Sequence, residues 1–249
     1  MRSADRADPL TVAELLWRTE STPKTERPRL GINSILASAI AIADAEGLDA
    51  LSMQRIASEL GYTPMALYRH VPSKAHLVAA MTDAAYGTPP VPTARRRSWR
   101  AEVETWVIAV LRLYGRHQWL VKTPTTTAPI GPNALAWTEA LLRPLARAGL
   151  SGADLLAAAT FLSSAVRDLA RIAGELDPAA AADYGRLLAE RLDSQRFPIM
   201  AELTANATFG DDDGDIAPMV WFGLRRLLDG IDAYSKGRQT RGAVAPPCD

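Results

Sequence analysis

The chain carries a single cysteine, Cys248, beside Pro246-Pro247 at its C-terminal end. One thiol cannot close an internal disulfide, so a disulfide scaffold is excluded and a reducing, cytoplasmic setting is expected. Neither sign of charge is in excess, with 28 Lys and Arg against 28 Asp and Glu, which argues against indiscriminate coating of nucleic acid. No apolar run approaches the roughly 18 residues that span a bilayer, and the opening MRSADRADPL lacks the apolar stretch of a secretory signal. Neither a membrane partner nor export is therefore expected. Strict apolar–polar alternation, internal repeats and long heptad arrays are also missing. The only histidines are His70, His76 and His117, with no HExxH pair and no cysteine partners, so zinc is not expected. The acidic run GDDDGD (210–215) fails as a calcium loop, because placing Gly214 at the sixth position puts Val220 where a bidentate Glu is needed. No Gly-x-Ser-x-Gly elbow, phosphate loop or dinucleotide fingerprint occurs. The expectation is no enzyme, no metal and no cofactor.

What is present is helix. The 249 residues are 48% apolar and 22% charged, enough for one large or two modest globular domains. Ile32, Ile35, Leu36, Ala39, Ile40 and Ala43 form a stripe at helical spacing that stops at Gly47. Ser73–Tyr86 reads as a helix closed by Gly87, and the stiff TPPVPT (88–93) that follows reads as a domain boundary. Residues 98–116 form a long amphipathic helix. The segment 122–133 reads as a loop, and Pro132-Asn133 opens a helix to about Arg147. Ser151 and Asp154 resemble a capping box for a helix of more than twenty residues. Further helices are expected from Asp177-Pro178 to Leu192, around 198–205 and over 216–235. The fold class is all-α. Four parts are expected: an extension (1–30), a DNA-binding domain (31–87), a ligand-binding and dimerisation domain (95–236) and a tail (237–249). In the extension, Asp8-Pro9 could start a helix with Leu10, Ala13, Leu16 and Trp17 on one face; a loose tail is equally compatible.

Residues 51–77, LSMQRIASELGYTPMALYRHVPSKAHL, are the most specific stretch. Ser52 is placed to cap a helix with Ile56, Ala57 and Leu60 inward. Gly61 supplies the left-handed residue between two helices, and Thr63 and Pro64 suit the start of the second. Val71-Pro72 ends it and Ser73 caps the next. Two short helices joined by a three-residue turn with Gly have the spacing of a helix-turn-helix. Leu67 points inward, leaving Met65, Ala66, Tyr68, Arg69 and His70 outward. Spacing alone leaves an ordinary αα-corner open. The local charge favours DNA: Arg55, Arg69 and Lys74 face Glu59 alone within 52–76.

The ordered pattern Ile35-Leu36, Ala39, Gly47, Ile56-Ala57, Leu60-Gly61, Leu67-Tyr68, His70, Pro72-Ser73-Lys74 and Leu77 resembles the N-terminal domain of the TetR family of transcriptional repressors. The resemblance implies a supporting helix over Ser52–Leu60 and a recognition helix over Pro64–His70, with Tyr68, His70 and Lys74 facing phosphate. The DNA-facing set is then Ser52, Gln54, Arg55, Thr63, Pro64, Met65, Ala66, Tyr68, Arg69, His70 and Lys74. Arg69 is best able to pair with a guanine edge, Gln54 next, while Met65 and Ala66 suit thymine methyls. Trp99-Arg100, the stretch 131–151 and the long helix after it resemble the tetracycline-repressor branch of the family, whose body binds a small molecule and dimerises through its last two long helices. That branch's magnesium–drug histidine has no counterpart in Trp119-Leu120-Val121-Lys122, so a tetracycline–magnesium chelate is not expected.

The expected effector is a small hydrophobic or aromatic molecule held by Trp106, Val110, Tyr114, His117, Trp119, Trp137, Leu141, Phe161 and Ser164, with Thr138 nearby. Each ring is equally well read as core. Arg167 and Arg171 could bind an acidic ligand or pair with Asp168 and Glu175. The homodimer interface is expected at Leu162, Val166, Leu169, Trp221, Leu224, Leu228 and Ile231, on two helices too apolar for solvent. The resulting expectation is a ligand-responsive repressor that binds a palindromic operator as a homodimer. Its rival is an all-α small-molecule-binding protein or enzyme without DNA function.

Overall fold

In the computed structural model of the protein, residues 8–20, 30–91, 98–123, 130–175, 178–206 and 217–242 are described. Within them lie α1 (Pro9–Glu20), α2 (Ile32–Glu46), α3 (Met53–Leu60), α4 (Pro64–Tyr68), α5 (Lys74–Tyr86), α6 (Trp99–Arg116), α7 (Pro132–Arg147), α8 (Gly152–Glu175), α9 (Pro178–Arg191), α10 (Pro198–Ala205) and α11 (Ala217–Gly242). Short 3-10 turns follow α2 (Leu48–Ala50) and α6 (Gln118–Lys122). No strand occurs among the described residues. Asp177, the acidic run 210–215 and Cys248 lie outside them.

Capping chemistry accounts for the boundaries of the first compact group, α2 to α5. The Ser52 hydroxyl accepts from the Arg55 amide at 3.0 Å and the Ser73 hydroxyl from the His76 amide at 3.3 Å, each satisfying an orphan donor at a helix start. Between α3 and α4, Gly61 sits at φ 74°, ψ 28°, a left-handed conformation a β-carbon would disfavour. Thr63 occupies the first cap position of α4, but its side chain makes no capping hydrogen bond. Ile35, Ile56, Leu67, Leu77 and Met81, one or two from each helix, are fully buried together. Each such side chain contributes about 1.5–3 kcal/mol through burial.

The body places α6 against α7 and α8, α7 against α8, and α11 against α8. Val103, Val107, Leu141, Leu145, Leu162 and Leu228 fill its centre. Gly149, at φ 96°, ends α7 as anticipated. In the first turn of α8 the Asp154 carboxylate accepts from the Tyr234 hydroxyl of α11 at 2.7 Å. The last helix also continues past the anticipated residue 235 to Gly242, because SerLysGlyArgGlnThrArg contains no proline to stop it.

The N-terminal extension contains a docked helix. Asp8 caps α1, accepting from the Thr11 amide at 3.3 Å. Its buried face is Val12, Leu15 and Leu16, packed on α5 and α7. The anticipated Leu10 and Trp17 are instead exposed, since the i, i+3, i+4 stripe that meets α5 starts at Val12.

Candidate DNA-reading surface and effector site

Helix α4 buries only Leu67 and presents the rest of its surface outward. Met65 is 69% exposed and Tyr68 45%, unusual for side chains of this size. Gln54, Arg69 and Lys74 are exposed beside them, Ala66 and His70 half-buried. Lys74 is the first residue of α5, at a helix start capped by Ser73. Ser52, Pro64 and Thr63 flank the same face, and the Ser52 hydroxyl is already engaged in its cap. Arg55 is partly committed: its guanidinium pairs with Glu46 at 2.9 Å and approaches Glu59 at 3.7 Å. The arrangement is a small cationic and apolar surface on a rigid capped frame, which suits hydrogen bonding to phosphates and base edges.

In the body, Trp106, Val110, Tyr114, Trp119, Trp137 and Leu141 are all buried. Trp106 and Trp137 are linked in a hydrogen-bonded chain that runs to the end of α5. Trp106 Nε1 donates to the Trp137 carbonyl at 2.9 Å, and Trp137 Nε1 donates to the Tyr86 and Gly87 carbonyls at 3.0 and 3.1 Å. The Trp106–Trp137 and Tyr86–Trp137 ring centroids are each 6.2 Å apart, in tilted or edge-on geometry. Burial, followed by the neighbouring Tyr86, pushes the Tyr114 phenol well above its ordinary range. A cleft of about 310 Å³ opens where this chain reaches the surface, between Thr88–Val91 and Trp106, Ala136 and Ala140. Its rim holds Glu139 paired with Arg143 at 2.8 Å and Glu102 paired with Arg147, so its charge is balanced.

Of the nine expected effector residues, Trp106 alone lines this cleft. Phe161 is 64% exposed and Ser164 is exposed, because the inward stripe of α8 is Ala159, Leu162 and Val166. His117 and Trp119 are engaged by α2: the Asp44 carboxylate lies 2.7 Å from His117 Nδ1 and accepts from Trp119 Nε1 at 2.6 Å. Arg167 is committed to backbone carbonyls. It donates to the Leu120, Val121 and Thr123 carbonyls, closing the 3-10 turn, while Arg171 pairs with Asp168 and Glu175. The expected dimer set is mostly covered by this chain's own packing. Leu162, Val166, Leu224, Leu228 and Ile231 are buried within the single chain, and Leu169 and Trp221 are half-buried. Among the described residues, the large apolar side chains left outward on α8 and α11 include Leu156, Phe161 and Phe222.

Asp83 was not anticipated. This carboxylate from α5 is 6% exposed and caps the start of α7 in trans. It accepts from the Ala134 amide at 2.9 Å and the Asn133 side chain at 3.0 Å. The sequence holds two signals for it: Asp83 is the one charge within VAAMTDAAY, and Gly131-Pro132 gives α7 no cap of its own.

Residues 35–81 match the profile of bacterial regulatory proteins of the tetR family, and residues 91–234 match that of the tetracyclin repressor-like C-terminal domain. The chain is 35% identical over 245 residues to the HTH-type transcriptional repressor DrrR1 of Streptomyces coeruleorubidus, covering 94% of this chain and 88% of that one. Among solved structures it is similar to apo ActR of Streptomyces coelicolor (26% identity, TM-score 0.75, 86% of this chain and 100% of that one). It is also similar to ActR in complex with actinorhodin (27% identity, TM-score 0.73, 83% and 99%).

Proposed function

Because the chain belongs to the tetR family of bacterial regulatory proteins and is a ligand-responsive transcriptional regulator, we propose how its own residues carry out that role. Two copies bind a palindromic operator, each laying α4 into a major groove, with half-sites about one helical turn or a multiple of it apart. Arg69 reads a guanine, Met65 and Ala66 touch thymine methyls, and Gln54 assists from α3. Tyr68, His70, Thr63 and Lys74 hold phosphates and set the register. The observation that carries this reading is the outward apolar set on α4, whose only buried residue is Leu67, followed directly by the exposed cations Arg69 and Lys74.

The effector enters the cleft beside Trp106. It is small, flat and largely apolar, in keeping with walls of proline, alanine and indole and a charge-balanced rim. Seated there, it bears on Trp106, hence on the Trp137 carbonyl, and through Trp137 Nε1 on the end of α5. Since α5 directly follows α4, a small shift at its far end changes the separation of the two reading helices. The effector releases DNA only by its difference in affinity between the two arrangements. The dimer forms through the outward faces of α8 and α11, where Phe161 and Phe222 stand exposed.

Selection of DNA from a random pool by the full chain tests the first half of this reading. The selected sites should be palindromes, and Arg69→Ala should lose about 1–3 kcal/mol on them while relaxing one base position per half-site. An equal loss on every sequence would reduce Arg69 to a phosphate contact. Actinorhodin serves as the probe for the second half: it should quench tryptophan fluorescence and weaken operator binding in the native chain, and do neither after Ala140→Trp fills the cleft. Operator release that persists in the filled variant would place the effector elsewhere.

A further inference from the structure

Helix α1 touches both parts of the molecule at points that bear on the reading surface. Thr11 Oγ1 lies 2.9 Å from His76 Nε2, and His76 Nδ1 lies 2.8 Å from the Ser73 hydroxyl. Ser73 caps α5 immediately after the turn that ends α4. Arg18 reaches the His70 carbonyl at 3.5 Å, at the other side of that turn. On the opposite flank, Trp17 Nε1 donates to the Ile130 carbonyl at 3.1 Å. Ile130 directly precedes Gly131, where Asp83 caps α7. Between these hooks, Val12, Leu15 and Leu16 are buried, so the helix is seated and not merely adjacent.

We infer that α1 is a strap that holds the α2–α5 head in one fixed attitude on the body and thereby sharpens the spacing of the two reading helices. A helix of 12 residues is marginal in water by itself, so α1 is ordered by its dock. It therefore stabilises whichever arrangement provides both sides of that dock. If the head swings on the body, the distance between His76 and Ile130 changes, and a rigid helix cannot keep Thr11 and Trp17 engaged at once. The direct contacts between head and body, Asp83 of α5 on the start of α7 and Asp44 of α2 on Trp119, lie at points removed from the start of α5. The strap adds the hold at that start, next to α4.

The test uses the full chain with Leu15→Asp/Leu16→Asp to undock the helix, and Thr11→Val/Trp17→Phe to remove the two hooks while keeping their bulk. Amide exchange in the first turn of α5 should rise by about tenfold in the undocked variant and a few-fold in the hook variant, with α8 unchanged. Operators selected by the native chain are then compared with versions lengthened by one base pair at the centre, which displaces a half-site by about 3.4 Å and rotates it by about 35°. The native chain should prefer the original spacing by at least about tenfold, and both variants by less than about threefold. Unchanged exchange, or faster exchange with spacing preference intact, would overturn the strap. The spacing comparison rests on the DNA-facing reading of residues 52–74, whereas the exchange measurement does not. A native chain that selects no operator would therefore count against that reading and leave the exchange result to decide the strap's mechanical part.

Discussion

Gly131→Ala is the sharpest single perturbation of the junction between reading head and body. A β-carbon at this position would lie 2.1 Å from Asp83 Oδ1 and 2.4 Å from its Cγ. The backbone at Gly131 has φ −85° and ψ 152°, which alanine adopts without strain, so the cost arises from the Asp83 side chain, chiefly its carboxylate, with its Cβ also 3.0 Å away. Pushing Asp83 aside strips α7 of its cap, worth about 0.5–2 kcal/mol, and weakens hydrogen bonds to a buried charge, worth about 1.5–3 kcal/mol. These losses overlap, and about 2–3 kcal/mol is expected in total. For a chain of this size that corresponds to a midpoint lowered by roughly 4–12 °C. Asp83→Ala should cost a similar amount by removing the same cap. In the Asp83→Ala background, however, the alanine at 131 meets no carboxylate, only the Cβ at 3.0 Å, which a small shift relieves, and its cost should fall well below that of the single variant. Urea unfolding of the two single variants and the double variant, at one fixed protein concentration, measures the coupling directly. A coupling near 2 kcal/mol is expected. Strictly additive costs would refute the trans-cap.

Three further outcomes follow from the same geometry. Phe222→Glu should leave the fold intact and shift the protein to monomers in sedimentation, whereas Leu228→Glu, at a position 1% exposed, should cost more than about 3 kcal/mol and unfold the body. The reverse pattern would restore Leu228 to the interface. Lys74→Ala should weaken operator binding almost uniformly across sequences and reduce the slope of log affinity against log salt by about one per half-site; an unchanged slope would remove Lys74 from the phosphate contacts. The Tyr114 phenol is held above its unfolded value of about 10, so its stabilising effect is complete below that pH and is lost as pH rises above it. Urea unfolding between pH 9 and 11 should show that decline in the native chain and a shallower one in Tyr114→Phe; parallel curves would mean Tyr114 is not the group responsible.

The reading head was legible because its determinants are local. Ser52, Gly61, Pro64, Pro72 and Ser73 set their own turns and caps within three or four residues, and all fall where the short-range rules place them. Helical periodicity located the long helices of the body for the same reason. It could not say which face of α8 or α11 turns inward, because a helix between a core and a second surface is apolar on both sides. Leu162 and Leu228, expected outward, are buried, and Phe161, expected inward, is exposed; only the packing of α8 on α6, α7 and α11 sorts them. Rings were similarly identifiable as aromatic but not as partners: His117 and Trp119 had every mark of a ligand site until α2 brought Asp44 against them across more than seventy residues.

By itself, the sequence determined the all-α class, the helix-turn-helix with its outward Arg69 and Tyr68, and the family, since each depends on residues close along the chain. Tertiary structure decided how the two parts are joined: Asp83 on the start of α7, Asp44 under His117 and Trp119, and α1 between His76 and Ile130. Those contacts link positions 50 to more than 110 residues apart. A hydrogen bond depends on distance in space, and no periodicity of a chain encodes which distant carboxylate will reach an unsatisfied helix end.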